Sequence, residues 1–131
     1  MNFLILGIPN VGKTSLYNII TNSSQNIIHK TYGTTRDWHV LPLKVNSNIN
    51  IYDTPGITFK KNLIDKFYKN LINIIDVFIY VIDYKSDNHI NDKELINLLR
   101  KYNKEIILVV NKDDNLNQDK DLNEFGLKNI F

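Results

Sequence analysis

The stretch Gly7-Ile8-Pro9-Asn10-Val11-Gly12-Lys13-Thr14 decides how the rest of the chain is read. It matches G-x-x-x-x-G-K-[ST], a loop whose backbone N–H groups, with the N-terminus of the helix that follows, cradle the phosphates of a nucleotide. The pattern carries weight only between a strand and a helix. Phe3-Leu4-Ile5-Leu6 on one side is a short apolar run of the buried-strand type, and Thr14 to Ile20 on the other has the spacing of a helix that would bury Leu16, Ile19 and Ile20. A glycine-rich turn that happens to contain Lys-Thr is the bland alternative, and later motifs have to decide against it.

Moving outward, Thr21 to Tyr32 is polar, without a clear period and long for a connection, as functional loops are. It runs into Gly33-Thr34-Thr35-Arg36-Asp37. Trp38 to Val45 and Ile49 to Tyr52 then read as a hairpin turning at Asn46-Ser47-Asn48, and its second strand delivers Asp53-Thr54-Pro55-Gly56. A helix is expected around Leu63, Phe67, Leu71, Ile74 and Ile75, a strand buried on both faces at Val77 to Ile82, and a helix from Asn91 to Tyr102. A last buried strand, Glu105 to Val110, ends in Asn111-Lys112-Asp113-Asp114. Strands alternating with helices at these lengths predict an α/β fold: a mostly parallel sheet with helices on both faces and the ligand at the C-terminal strand ends, where all four motifs lie.

The 131 residues, 43% of them hydrophobic, suit one domain spanning 1–131. A net charge of +2 from 16 basic and 14 acidic residues argues for no nucleic-acid surface, and no DNA partner is expected. Lys60, Lys61, Lys66 and Lys69 could meet rRNA, but a solvated helix face explains them as well. With no cysteine there are no disulfides, and no apolar run reaches the length of a membrane span, so a cytoplasmic protein without a membrane partner is expected. His29, His39 and His89 have no metal-ligand spacing and read as ordinary loop or surface residues.

The motifs carry specific chemistry. Lys13 places a cation near the β- and γ-phosphates, and the Thr14 hydroxyl is an oxygen donor for Mg²⁺. Asp53 can hold the same ion through a water, and Gly56 lets a backbone N–H approach the γ-phosphate. Asp114 can accept two hydrogen bonds from N1–H and the 2-amino group of guanine, which adenine cannot offer. Asn111 would brace the loop and touch the base edge, and Lys112 would lie over the purine. Each run alone could be a polar turn; their order along one chain makes that reading hard to hold.

In this order the motifs resemble the translation-factor-like branch of P-loop GTPases, with the G1 to G4 elements at Gly7 to Thr14, Gly33-Thr34-Thr35, Asp53 to Gly56 and Asn111 to Asp114. G-x-P-N-V-G-K-[ST], G-T-T-R-D and the stretch from Asn91 to Lys104 are similar to the first GTPase domain of the Der (EngA) family. That resemblance implies a Mg²⁺-dependent GTPase working on the large ribosomal subunit and its rRNA. GTP or GDP would contact Gly7, Ile8, Pro9, Asn10, Val11, Gly12, Lys13, Thr14, Ser15, Asp53, Thr54, Pro55, Gly56, Ile57, Asn111, Lys112 and Asp114. It also implies Thr35 as the second hydroxyl on Mg²⁺, with Lys13, Asn10, Thr35 and Gly56 serving hydrolysis. Ile57 stands where Ras-like GTPases have a water-orienting glutamine; Asn10 matches the position from which relatives such as MnmE help bind K⁺. The tRNA-modifying MnmE shares G-T-T-R-D, and Era shares D-T-P-G but usually has histidine at the place of Asp37, so both stay open as relatives. The family's fifth element, a Ser-Ala run after the sixth strand, has no counterpart before Phe131. The domain is therefore expected to be incomplete, lacking its last strand and helix, and a nucleotide-binding fragment without hydrolysis remains the alternative.

Overall fold

The computed structural model describes residues 1–8, 11–22, 28–30, 37–54, 69–85, 89–111 and 125–131, with the backbone alone at 28–30, 37–39 and 69. The apolar run before the glycine-rich loop becomes β1 (Asn2–Leu6) in the middle of the sheet, paired in parallel with β4 (Asn46–Asp53) on one side and β5 (Val77–Asp83) on the other. Outside β4 lie β3 (Asp37–Leu43) and β2 (Ile28–Lys30), each antiparallel to its neighbour. Outside β5 lie β6 (Glu105–Asn111) and β7 (Asn129–Ile130), both parallel. The strand order is β2-β3-β4-β1-β5-β6-β7. Three helices belong to the described residues: α1 (Lys13–Thr21), α2 (Lys69–Ile74) and α3 (Ile90–Arg100).

Alternation along the strands makes two cores, because successive side chains point to opposite faces. Leu4, Leu6, Phe78, Tyr80 and Ile82 meet Leu71, Ile72 and Ile75 at the α2 end and Leu95, Ile96 and Leu99 of α3 on one face. Ile5, Ile51, Ile79 and Val81 meet Val11 and Tyr17 on the other. Helices therefore cover both faces, as the run lengths predict, and β5 is buried throughout its six apolar residues, Val77 to Ile82.

Several local readings shift. The hairpin turns two residues earlier than the Asn-rich stretch suggests: Leu43 pairs with Asn46, with the register irregular between Pro42 and Leu43, so Lys44-Val45 is the connection. Asn46 still makes a local turn-like bond, its Oδ1 accepting from the Asn48 N–H at 3.0 Å. In α1 the buried side chains are Lys13 and Tyr17, one turn apart, while Ile19 is 74% exposed. In α2 the buried residues are Leu71 and Ile72, with Ile75 just beyond the helix, and Ile74 is half exposed. Leu63 and Phe67 lie outside the described residues. The polar connection after α1 contains a strand, β2, and the last strand, expected to be missing, is present in part as β7, because Asn129 and Ile130 pair with Ile107 and Leu108 of β6.

The lower end of α2 is held from two sides. Lys104 Nζ donates to the carbonyls of Ile72, at 2.5 Å, and Ile75. Asn2 Nδ2 donates to the Ile74 carbonyl at 2.9 Å, while the Asn2 N–H donates to Asp76 Oδ2 at 2.7 Å and the Asn2 carbonyl accepts from the Asp76 N–H at 2.8 Å. A cation and an amide donor thus satisfy carbonyls that the end of a short helix leaves open.

Candidate functional site

Four C-terminal strand ends converge on one edge of the sheet. Leu6 of β1 leads into Gly7, Asp53 closes β4, and Asp83 of β5 is in register with Asn111 of β6. The loop sits so close to β5 that a Cβ on Gly7 would lie 2.6 Å from the Val81 carbonyl oxygen. Gly12 caps α1 with φ +93°, a conformation side chains rarely adopt, and a Cβ there would collide with Asn111 Nδ2. α1 has no side-chain cap and no acidic residue in its first turn. Its N–H groups are thus left for an anion.

Lys13 is buried, with an exposure of only 7%. Its ammonium folds onto the loop and donates to the carbonyls of Gly7 at 3.0 Å and Ile8 at 2.7 Å. Burial pulls its pKa below the ordinary lysine value, partly opposed by the negative charges of Asp53 and Asp92. Thr14 and Ser15 are exposed on the first turn of α1, and Thr14 Oγ1 donates to the fully buried Asp53 Oδ2 at 3.3 Å. Thr54, next in sequence, is also fully buried, and its hydroxyl has no hydrogen-bond partner among the described residues. Tyr17 lies beneath this pair of acid and hydroxyl; burial, then the Asp53 charge, push its phenol up to about 12.

At the other end of the edge, Asn111 Nδ2 donates to the Val11 carbonyl at 2.8 Å, and its own carbonyl accepts from the Tyr84 N–H at 2.9 Å. The bond to Val11 ties the end of β6 to the glycine-rich loop.

Gly7, Ile8, Val11, Gly12, Lys13, Thr14, Ser15, Asp53, Thr54 and Asn111 thus share this end of the sheet. Pro9, Asn10, Thr35, Pro55, Gly56, Ile57, Lys112 and Asp114 lie outside the described residues. No cluster of three His, Asp or Glu residues exists among the described residues. A nucleotide-bound Mg²⁺ does not require one, since it takes most of its oxygens from phosphate and water. The adjacent Thr14 hydroxyl and Asp53 carboxylate, both hard oxygen donors, fit that ion.

Sequence reading missed a second buried polar group at this end. Asp92, in the first turn of α3 and 1% exposed, accepts from Tyr80 Oη at 2.7 Å and lies 3.0 Å from His89 Nδ1. Burial, then the Asp92 carboxylate, drive the Tyr80 phenol far above its usual range. His89 is thus the partner of a buried acid. The pairing at i and i+3 was visible in the sequence, but the tyrosine twelve residues upstream was not.

Comparison with known proteins agrees with this geometry. The profile of the 50S ribosome-binding GTPase family matches residues 2–112. The chain belongs to that family. Among the GTPases similar to it, the GTPase Der of Borrelia garinii subsp. bavariensis is 38% identical over 98% of this chain. The GTPase Der of Nitratiruptor is 34% identical over 97%. The chain spans only 31% and 29% of those two proteins. In fold it is similar to a GDP-bound mutant of S. thermophilus NFeoB, with a TM-score of 0.76 at 20% identity, covering 99% of this chain and 54% of that one. It is also similar to the G domain of the T. maritima FeoB iron transporter, with a TM-score of 0.65 at 23% identity, covering 99% of this chain and 84% of that one. In this member of the 50S ribosome-binding GTPase family, Gly7, Asp53 and Asn111 lie at one end of the sheet. Among the described residues no helix is long and apolar enough to cross a membrane.

Proposed function

We propose that this domain binds GTP and GDP with Mg²⁺, hydrolyses GTP, and acts as a cytoplasmic switch in assembly of the large ribosomal subunit. The observation that carries the reading is the bond from Asn111 to the Val11 carbonyl, which joins a base-reading strand end to a phosphate loop. In this reading Lys13 and the N–H groups at the start of α1 hold the β- and γ-phosphates. Thr14 and, through water, Asp53 hold Mg²⁺, which neutralises phosphate charge when bound; Thr35 adds the second hydroxyl in the GTP state. The Gly56 N–H meets the γ-phosphate, and Asp114 reads guanine while Lys112 covers its ring. Loss of the γ-phosphate frees Thr35 and Gly56, and the loops that carry them change state. The family's description and the two Der relatives support the ribosomal part of the reading.

Asp114→Asn tests the base assignment, because an acceptor facing two donors becomes partly a donor. Preference should turn from GTP towards XTP in competition against a fluorescent GDP analogue. A variant that keeps the wild-type preference for GTP removes Asp114 as the reader.

A further inference from the structure

The fully buried Asp53 carboxylate closes β4, and the first turns of α1 face it with three side chains. Thr14 Oγ1 donates to its Oδ2 at 3.3 Å, and the Lys13 ammonium feels its charge. Tyr17 follows three residues after Thr14 and four after Lys13, the spacing that stacks side chains on one helix face, and it too is fully buried. Its ring belongs to the core that holds Ile5 and Ile51. Those two residues frame the acid: Ile5 is the partner of Asp53 on β1, and Ile51 precedes it by two on β4, so both share its face of the sheet. Tyr17 therefore reaches from α1 to the strand pair that carries Asp53. Burial, then the Asp53 charge, push its phenol up to about 12, so in neutral solution the hydroxyl keeps its proton and faces the acid as a neutral O–H dipole.

We propose that Tyr17 is a positioning residue for Mg²⁺ binding, its ring and hydroxyl holding the Asp53 carboxylate against Thr14 so that the two oxygen donors stand ready for the ion. The proposal rests on the reading above, in which Thr14 and, through water, Asp53 hold Mg²⁺. Its physical content is twofold. A carboxylate taken out of water is costly unless polar groups face it, and the group that orients an ion's partner governs how readily the ion binds. Tyr17 need touch neither ion nor nucleotide, and nucleotide bound without Mg²⁺ should not feel the loss of its hydroxyl.

The test titrates magnesium chloride into the intact chain with a fluorescent GDP analogue, and takes the affinity for that analogue in excess EDTA as the metal-free reference. Tyr17→Phe keeps the ring in its core and deletes only the hydroxyl. It should raise the Mg²⁺ concentration at half-maximal binding by about three- to tenfold, below the ten- to hundredfold typical when the direct partner of a metal ligand is lost, and leave the EDTA value unchanged. In an Asp53→Asn background the same substitution should no longer move the Mg²⁺ requirement, because the acid it positions has gone. Tyr17→Met gives up ring and hydroxyl together, fills the space with a flexible side chain, and carries the test if Tyr17→Phe folds poorly by thermal unfolding. A tyrosine that only fills the core would change Tm and leave the Mg²⁺ requirement alone. That result, or equal losses with and without Mg²⁺, would overturn the proposal. If Thr14→Ala and Asp53→Asn also leave the Mg²⁺ requirement unchanged, the ion reading falls and the proposal with it; if they raise it while Tyr17→Phe does not, the positioning role alone is wrong.

Discussion

Asn111 and Gly12 are fitted to one another: the amide nitrogen of the first occupies the space where a side chain on the second would begin. One residue at a strand end therefore dictates that another, near the start of the chain, must be glycine. A hydrogen bond reinforces the fit, since Asn111 also donates to the Val11 carbonyl of the same loop.

Gly12→Ala should displace Asn111 and strain the loop at φ +93°. Strain of this kind costs about 1–3 kcal/mol, so GDP affinity should fall by about five- to a hundredfold. Asn111→Ala makes room for the new methyl, and the double variant should therefore lose less than the sum of the single losses. Titration of all three against a fluorescent GDP analogue measures the coupling; strict additivity would mean that the two residues do not share this space in solution.

The lowered Lys13 pKa gives opposite pH trends for binding and for stability. Its ammonium is what would attract phosphate, so affinity should fall as pH rises through the lowered folded-state value, earlier than an exposed lysine would require. Between that value and the ordinary 10.5 the unfolded chain binds more protons than the folded one, so this group makes the nucleotide-free protein more stable as pH rises. Lys13→Met should abolish both trends, which GDP titration and thermal unfolding across the alkaline range would detect.

Thr14 and Thr35 should separate the two nucleotide states. Thr14→Ala removes the hydroxyl beside Asp53 and should weaken Mg²⁺-dependent binding of GDP and GTP alike, by roughly tenfold or more for loss of an ion ligand. Thr35→Ala should weaken a GTP analogue and spare GDP. Equal losses in Thr35→Ala would place that threonine elsewhere.

Hydrolysis needs a group to stabilise charge in the transition state, and Ile57 has no polar atom to orient water. Asn10 is the candidate ligand for K⁺ facing the phosphates. GTP turnover should be faster in K⁺ than in Na⁺, and Asn10→Ala should remove the difference. If turnover ignores K⁺ and rises steeply in Ile57→Gln, a side chain rather than a cation supplies what is missing.

The parallel core was plain in the sequence because Leu4, Phe78 and Leu108 sit in runs so apolar that only strands covered on both faces could carry them. The placing of Gly7, Asp53 and Asn111 at one end of the sheet was legible for the same reason: each stands at the C-terminal end of a strand. Helix faces were less so. Ile19 and Tyr17 differ in burial because α1 turns its 13–17 stripe inward, and hydrophobicity alone favours the isoleucine. β2 was invisible, since three residues in a polar connection gain their place only from pairing with β3. The Tyr80, Asp92 and His89 group could not be read because it closes across a strand-to-helix distance that no local period encodes.

The bonds at the lower end of α2 tie that end to the base of the sheet. Lys104 and Asn2 grip its last carbonyls from the starts of β6 and β1, the strands whose opposite ends carry Asn111 and the glycine-rich loop. Sliding this end along the sheet would require breaking several hydrogen bonds at once and withdrawing Leu71 and Ile72 from the core. The helix end is therefore referenced to the same two strands that set the spacing between the loop and Asn111.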